Sequence, residues 1–507
     1  MHLYSSNSLR KVFASDLYFR IFLFFYLAGL VYLASIVSVG NDEVFSLNTS
    51  SYELSKVIQQ SYNFEAQPPA YFVLLSLWRK FDDSLFFARI FSVVAIGITI
   101  YFIRRLIILF TDDKTSRYLL ILFMLNPFVV WAGIEVRLYA MIMMLSSASL
   151  YCFFIYYTQN KRSYLIAGLF INIIALYTMY FIVFLLASLG LALLITREYK
   201  KLVTYILFCL PVAFLFLYNV LALPNPVNIT FLSSVPLTSL ERISRVMHVP
   251  QNLLFTIWAI PFPRPLRWII LAMFCGIIFP KLYIYLFKNE NPVLQKSYRI
   301  AFIAVFFSLI FYCLFFVITK IEFNQRHLAL IFPLLFIGFT GIQLYPVSIR
   351  IPIILLISAY FSYLLFLNYR HPVKEYDLDK IFKYTSRVIR PGEPICFYES
   401  IIAVPFLYHY SGTNAIIPIP DTLTYDRHSS TSKIKDTIEL RSTMEGLSIK
   451  SRSFILITSR IEKQFESDPD LVLFNNYMKA HYKTDLDTVI TGWNGGWAAR
   501  VRRMELK

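Results

Sequence analysis

A series of long apolar runs without a charged residue constrains this chain more than any other feature of its sequence. Each run is about 17 to 22 residues long, the length that a helix needs to cross a hydrocarbon core about 30 Å thick. The composition agrees, since 57% of the 507 residues are hydrophobic and only 16% are charged. The sequence therefore predicts an α-helical polytopic membrane protein.

Basic residues give the chain a formal net charge of +17, which would also suit a nucleic-acid-binding protein. Many of them lie instead in short, alternate links between apolar runs, as the positive-inside rule requires of cytoplasmic links. Membrane topology therefore explains the charge, and no nucleic-acid partner is expected. The basic links contain Arg10 and Lys11; Arg104, Arg105, Lys114 and Arg117; Lys161 and Arg162; Arg197, Lys200 and Lys201; and Lys281, Lys288, Lys296 and Arg299.

The apolar runs predict about eleven transmembrane helices. The first run is too long, and too poorly followed by a small-residue cleavage site, to be a removed signal peptide. The positive-inside rule places the basic N-terminus in the cytoplasm, and an odd number of spans then places the C-terminal end outside the cytoplasm. The predicted spans lie near residues 21–39, 84–103, 118–133, 138–157, 163–178, 180–196, 203–223, 267–287, 300–319, 328–345 and 351–368.

The composition changes after the last span, which divides the chain into a transmembrane module, residues 1–368, and an extracytoplasmic domain, residues 369–507. Charges occur throughout the second part, and its apolar runs are short, as in PICFY at 394–398 and FILITS at 454–459. Such runs are typical of buried strands between helices, so we predict a small α/β domain. In the outer segment 224–266, many prolines predict loops and short interfacial helices.

Two candidate functional features lie in the first outer loop. Asp42 and Glu43 directly follow the first span, where a carboxylate can act as a general base. The alternative is an acidic loop end without a catalytic role. Farther along, Pro68 and Pro69 introduce an aromatic amphipathic stretch, residues 65–81, that predicts an interfacial helix, or a purely structural re-entrant one.

Two further features place ionisable residues at the outer ends of spans. Glu135, Arg137 and Tyr139 lie at a predicted helix start, where an ionisable pair is costly unless it is paired or functional. Arg326 and His327 open a later span from the outside, against the positive-inside bias, and a lipid phosphate is the natural anion for them. The alternatives are simple anchoring of the first group and an arginine that extends to lipid headgroups.

In their order and context, these features resemble the GT-C-fold membrane glycosyltransferases, which include protein O-mannosyltransferases and the aminoarabinose transferases of lipid A. The resemblance covers about residues 20 to 370. It departs from the family at Gln67, where many members have Lys or His before Pro-Pro, and at His327, where many have Tyr. Besides the residues above, the matching positions include Tyr71, Arg89, Leu328 and Pro333.

The resemblance implies a GT-C fold and a role for each matching residue. It implies that Asp42 is the catalytic base and Glu43 its helper, and that Arg137 and Arg326, with His327, bind the phosphate of a polyprenyl-linked sugar donor. No His/Cys cluster with metal-ligand spacing is present, so no metal ligand is assigned, although metal dependence varies within the superfamily and a divalent ion remains open. Further substrate-binding candidates are Gln67, Arg89, Glu135, Tyr139, Tyr177 and Tyr180.

The function implied is transfer of a sugar from a polyprenyl-phosphate donor to a lipid, glycan or protein acceptor, with inversion, at the outer face of a bacterial inner membrane. One alternative class is a transporter or lipid flippase without bond chemistry. It is disfavoured because no repeat relates two halves of the chain and the ionisable residues gather at the outer face. A ligase that transfers a whole oligosaccharide is the other alternative.

The first testable prediction concerns topology: the segment from Tyr369 onward lies outside the cytoplasm, because the predicted spans are odd in number. A single cysteine introduced at Asp421 should react with a membrane-impermeant reagent added to intact cells. Reaction from the cytoplasmic side alone would contradict the topology and the outer-face location of the candidate residues.

Overall fold

The computed structural model describes most of the chain, and two sequence predictions lie outside the residues that it describes. These are the span at 267–287 and the proline-rich segment at 224–266. The described residues are 6–222, 292–319, 325–372, 378–398, 403–419, 436–448, 451–458, 469–491 and 498–507.

The chain forms two compact units. The helical unit comprises Met1–Ser35 and Ala66–Leu367, and the mixed unit comprises Ile36–Glu65 and Asn368–Lys507. The C-terminal part of the mixed unit begins at Asn368, and the segment Ile36–Glu65 groups with it rather than with the helices. The division at 368 and 369 into a transmembrane module and an extracytoplasmic domain stays a prediction. The grouping has a physical cause, because a helix of this segment packs against a helix of the C-terminal part.

The helical unit is built from apolar helices with short connections. Its helices are α1 (Ser6–Ile36), α4 (Ala70–Arg79), α5 (Leu85–Ile108), α6 (Asp113–Met124), α7 (Pro127–Ile134), α8 (Tyr139–Gln159), α9 (Arg162–Leu176), α10 (Ile182–Ile195), α11 (Tyr199–Ala222), α12 (Pro292–Thr319), α13 (Phe332–Phe339) and α14 (Val347–Tyr369), with 3₁₀ helices at Gln325–Leu330 and Thr340–Leu344.

Among the described residues, six helices are long and apolar enough to cross a membrane. They lie within α1, α5, α8, α11, α12 and α14. Helices α6 and α7 form a seventh candidate, which is bent by 60°. Ten of the eleven predicted spans coincide with one of these helices or with the shorter apolar helices α9, α10 and α13. The helical, polytopic part of the fold prediction is confirmed, whereas the exact number of eleven stays a prediction.

The bend between α6 and α7 has a local cause in Asn126-Pro127. A residue before proline avoids the helical region, so α6 ends there. Asn126 adopts an extended conformation, and its Oδ1 accepts a hydrogen bond of 2.9 Å from the Phe128 backbone N–H, which caps α7. Pro127 occupies the first turn, where a missing N–H costs nothing. The asparagine–proline pair therefore both ends one helix and starts the next.

The mixed unit contains a five-stranded sheet of order β2-β1-β3-β5-β4, which confirms the predicted small C-terminal α/β arrangement. Strands β1, β2 and β3 are parallel, and β5 is antiparallel to both β3 and β4. The elements are α2 (Asn41–Ser50), α3 (Leu54–Asn63), α15 (Leu378–Val388), β1 (Ile395–Tyr398), α16 (Ala403–His409), β2 (Ile416–Ile419), α17 (Thr437–Ser448), β3 (Ser453–Thr458), α18 (Pro469–His481), β4 (Tyr482–Thr491) and β5 (Ala498–Leu506).

Each face of the sheet buries its own apolar cluster, because side chains alternate along a strand. On the α18 face, Leu456 of β3 packs with Phe474 and Met478 of α18. On the opposite face, Ile457 of β3 packs in a cluster with Ile381 of α15. The two runs predicted as buried strands, PICFY and FILITS, correspond to β1 and β3 and lie at the centre of both clusters.

A buried ion pair joins β5 to the turn before β1. Nε of Arg503 donates to Oε1 of Glu393 at 3.0 Å, with only 10% and 2% of the two side chains exposed. The same guanidinium donates to the Val388 carbonyl and, at 3.4 Å, to Asp485. The other Glu393 oxygen accepts the Arg390 backbone N–H at 2.9 Å. This network holds the end of α15 against the sheet.

The second prediction is that Glu393→Gln destabilises the mixed unit by about 3 to 5 kcal/mol, because the buried Arg503 charge loses its buried counter-charge and keeps only the partly exposed Asp485. The measurement is denaturant unfolding of the purified full chain, in which proteolysis of the C-terminal part reports the unfolded fraction. The matched control is Glu505→Gln, since Glu505 pairs with Arg390 at the surface and is 37% exposed. Equal effects of the two substitutions would contradict the structural importance of the buried pair.

Candidate functional site

The two carboxylates that the sequence singles out begin α2 of the mixed unit, but they have different surroundings. Oε2 of Glu43 accepts the backbone N–H of Gly40 at 3.0 Å in a capping box, and Glu43 is fully buried. Asp42 precedes it in the same first turn and is only half-buried. The partial positive charge of a helix N-terminus stabilises a carboxylate at this position. Glu43 therefore has a structural contact, while Asp42 is the more accessible of the two.

Another acidic residue of this segment, Glu65, carries no sequence motif and was missed. It is 7% exposed, and its Oε1 accepts a hydrogen bond of 3.3 Å from Thr49 of α2. The next residue, Ala66, has a φ of 55°, a left-handed conformation that costs a non-glycine residue about 1 to 3 kcal/mol. Only the folding of α2 and α3 against each other reveals this carboxylate, because its partner is distant in sequence.

In the helical unit, Glu135, Arg137 and Tyr139 lie in the short connection from α7 to the start of α8. All three residues are buried, at 5%, 8% and 4% exposure. Glu135 is extended and ends α7, and its carbonyl oxygen accepts a hydrogen bond from Ser92 of α5. The connection is thus held against α5, and the buried Arg137 lies inside the bundle rather than at its surface.

The structure brings this connection together with the late Arg-His pair, two features that are far apart in sequence. Arg326 and His327 lie in the 3₁₀ helix Gln325–Leu330 and are both half-buried. The Arg326 guanidinium lies over the ring of Tyr139, 5.9 Å from the ring centre, in cation–π geometry. We call Arg137, Tyr139, Arg326 and His327 the arginine cluster.

Electrostatics within the arginine cluster determine the charge state of His327. Burial lowers the pKa of His327 to about 3, and the charges of Arg326 and Arg137 contribute in the same direction. The imidazole is therefore neutral at physiological pH, while both guanidinium groups stay charged. The cluster combines two cations with a neutral imidazole that has one ring N–H to donate, which suits an oxyanion.

Tyr312 of α12 positions the 3₁₀ helix and was also missed from the sequence. Its hydroxyl donates to the backbone carbonyl of His327 at 2.9 Å, and its side chain is fully buried. The Phe181 ring contacts both Tyr312 and His327, with ring centres 5.3 Å and 5.7 Å apart. Nothing marks this tyrosine among the 35 of the chain, because its role depends on a tertiary contact.

Several other candidates make contacts elsewhere in the helical unit. Nη1 of the fully buried Arg89 donates to the Ala34 carbonyl at 2.9 Å, so this arginine joins α5 to α1. The Tyr177 hydroxyl accepts from Asn219 at 3.1 Å, and its backbone oxygen accepts the Ala70 N–H at 2.8 Å. Two candidates remain. The ring centres of Tyr180 and Phe216 are 6.3 Å apart, and Gln67, which precedes Pro68, is half-buried.

The proline-led helix is confirmed as α4, which follows Pro69, but its residues do not all face outward. Tyr71 is fully buried and Arg79 is 8% exposed and paired with Asp83. Trp78 is half-buried and stacks on Phe87 at 4.9 Å. Within the part of the chain that the structure describes, no group of three or more His, Cys, Asp and Glu side chains is arranged to hold a metal ion.

Comparison with known proteins identifies a fold. No protein-family model matches the sequence, and no curated protein sequence matches it. Among solved structures, ArnT from Cupriavidus metallidurans in the apo state is similar, with a TM-score of 0.51 and 13% sequence identity. The match covers 96% of this chain and 97% of that one. At this identity the likeness shows a GT-C-like fold alone.

Proposed function

We propose that this protein is a membrane glycosyltransferase that moves a sugar from a polyprenyl-phosphate donor to a lipid, glycan or protein acceptor. The observation that carries the proposal is the arginine cluster, which gathers two charged guanidinium groups and a neutral histidine in the helical unit. The GT-C-like fold supports the same reaction class, since the similar structure, ArnT, is a glycosyltransferase.

The arginine cluster is assigned to the donor phosphate. Guanidinium groups bind phosphate oxygens through two parallel hydrogen bonds, and burial strengthens that attraction because little water screens it. Negative charge grows on the phosphate as the lipid phosphate leaves. Arg137 and Arg326 would stabilise that charge in the transition state, with His327 as a neutral hydrogen-bond partner.

Asp42 is assigned as the general base. It takes the proton of the acceptor hydroxyl or amine while that acceptor atom forms a bond to the anomeric carbon, and the carbon–oxygen bond to the phosphate breaks. The electron pair of that bond leaves with the polyprenyl phosphate. A single displacement inverts the configuration at the anomeric carbon. With the expected topology, the reaction takes place at the outer face of the membrane.

The third prediction is that Asp42→Asn lowers the turnover number by about 100-fold or more, the scale expected for removal of a general base. Transfer is measured with purified protein and a short polyprenyl-phosphate sugar, by release of the polyprenyl phosphate. The matched control is Glu53→Gln, which removes an exposed carboxylate from the same outer segment. A variant that is inserted and folded but keeps most of its turnover would show that Asp42 is not the base.

The fourth prediction is that Arg326→Ala weakens donor binding by about 10- to 150-fold, since a hydrogen bond to a charged group contributes about 1.5 to 3 kcal/mol. Arg326→Lys should restore part of the affinity, because a lysine keeps the charge but not the two-pronged geometry. The measurement is titration with a non-hydrolysable donor analogue, together with the Michaelis constant of the acceptor, which should hardly change.

The control for this prediction is Arg162→Ala, which removes an exposed arginine at the start of α9. If Arg326→Ala binds the analogue as tightly as this control does, Arg326 is a headgroup anchor. The same titration of Arg137→Ala then decides whether Arg137 is the main phosphate ligand.

A further inference from the structure

A second pair of arginines lies on the C-terminal sheet of the mixed unit. Arg500 and Arg502 are two residues apart on β5, so both side chains project to the α18 face. Their neighbours on β3 are Thr458 opposite Arg500 and the fully buried Leu456 opposite Arg502. Arg502 therefore lies at the margin of the apolar cluster on the α18 face, and Arg500 lies beside Thr458, the last residue of β3.

The edge strand β4 supplies one carboxylate for these two cations. Asp487 lies directly opposite Arg502 in the ladder, but it binds Arg500 instead. Its Oδ1 accepts Nε of Arg500 at 2.7 Å, and its Oδ2 accepts a second nitrogen of the same guanidinium. These bonds hold the pKa of the Asp487 carboxyl below its usual range. Both carboxylate oxygens are thus engaged by Arg500, and one positive charge is left over.

The remaining charge belongs to Arg502, which is half-buried. Its Nε is buried and has no hydrogen-bond partner among the described residues. Burial, and then the neighbouring Arg500, lower its pKa to about 10, so the guanidinium stays charged at neutral pH. A partly desolvated cation with an unsatisfied donor is costly unless an anion compensates it.

We propose that Arg502 and Arg500 form an oxyanion-binding site on the α18 face of the sheet, which takes a phosphate or carboxylate group. The Arg502 guanidinium binds one edge of the anion, and the half-exposed Arg500, 42% exposed and already fixed by Asp487, supplies the second cation. On the edge strand β4, Val489 lies opposite Arg500 and is 51% exposed.

The site uses none of the residues assigned to sugar transfer. It lies on the sheet, whereas Asp42 begins α2 and the arginine cluster belongs to the helical unit. Oxyanion binding should therefore persist in Asp42→Asn and in Arg326→Ala. This independence allows failure of the glycosyltransferase proposal to be distinguished from failure of the oxyanion site.

The test is phenylglyoxal modification of the full chain in nanodiscs, with the modification rate of each arginine measured by peptide mass spectrometry. Inorganic phosphate or succinate at about ten times its dissociation constant should slow modification of Arg502 by about tenfold, because only about a tenth of the sites are then unoccupied. The internal control is Arg441 of α17, which is 67% exposed and pairs with Glu445 one turn away on the same helix. Its rate should not change.

Nanodiscs of phosphatidylglycerol and of phosphatidylcholine identify the source of the anion. If phosphatidylglycerol alone protects Arg502 from modification, without added phosphate, the anion is a lipid headgroup. If soluble phosphate or succinate protects Arg502 in phosphatidylcholine nanodiscs, the anion is a free or acceptor-borne one. No protection of Arg502 in any arm would overturn the proposal and leave Arg502 as an arginine whose stem packs on the apolar cluster.

Two substitutions complete the test by calorimetric titration with inorganic phosphate. Arg502→Gln should weaken phosphate binding by about tenfold, and Arg502→Lys should weaken it less, because a lysine keeps the charge. If the glutamine variant does not fold, the lysine variant gives the result. The matched control Arg441→Gln should bind as the unmodified protein does. Unchanged binding in folded Arg502→Gln would also overturn the proposal.

Discussion

The cost of placing an ionised side chain in a hydrocarbon underlies the arrangement of the helical unit. A charge at membrane depth is tolerated only where it is paired, extends to the interface, or faces the interior of the bundle. Basic residues in the links follow this rule with acidic partners: Lys296 lies 2.8 Å from Glu198, and Arg117 lies 3.0 Å from Asp113. The first contact connects the beginning of α12 to the residue before α11, and the second lies within α6.

The arginine cluster obeys the same constraint in a different way. Arg137 is buried in the connection between α7 and α8, and Arg326 lies over the Tyr139 ring. The aromatic face attracts the Arg326 guanidinium, and burial together with the two nearby cations lowers the pKa of His327 to about 3. Tyr312 and Phe181 keep this segment in place. The proposed donor phosphate would bring a negative charge to these two guanidinium groups.

The mixed unit compensates its charges by pairing along the sheet. Arg503 and Glu393 are buried together, and Arg500 and Asp487 pair across the β5–β4 ladder. Within the described ranges, Arg502 on the same strand forms no such ion pair, since Asp487 opposite it binds Arg500. The contrast between these three neighbouring arginines follows from the alternation of side chains along β5 and from the number of carboxylates on each face of the sheet.

The sequence alone determined the helical membrane architecture and the strands β1 and β3, because these depend on the length and spacing of apolar residues within short windows. It also identified Asp42, Arg137 and Arg326 as candidates, through family-like order rather than through contacts. Tertiary structure alone decided which residues meet. The hydrogen bond between Thr49 and Glu65 depends on how α2 and α3 fold against each other. The approach of Arg326 to Tyr139 joins residues almost two hundred positions apart, on the order of the length of a whole domain. Hydrophobic periodicity carries no information about such pairs, because it reports only which residues avoid water and not which of them pack together.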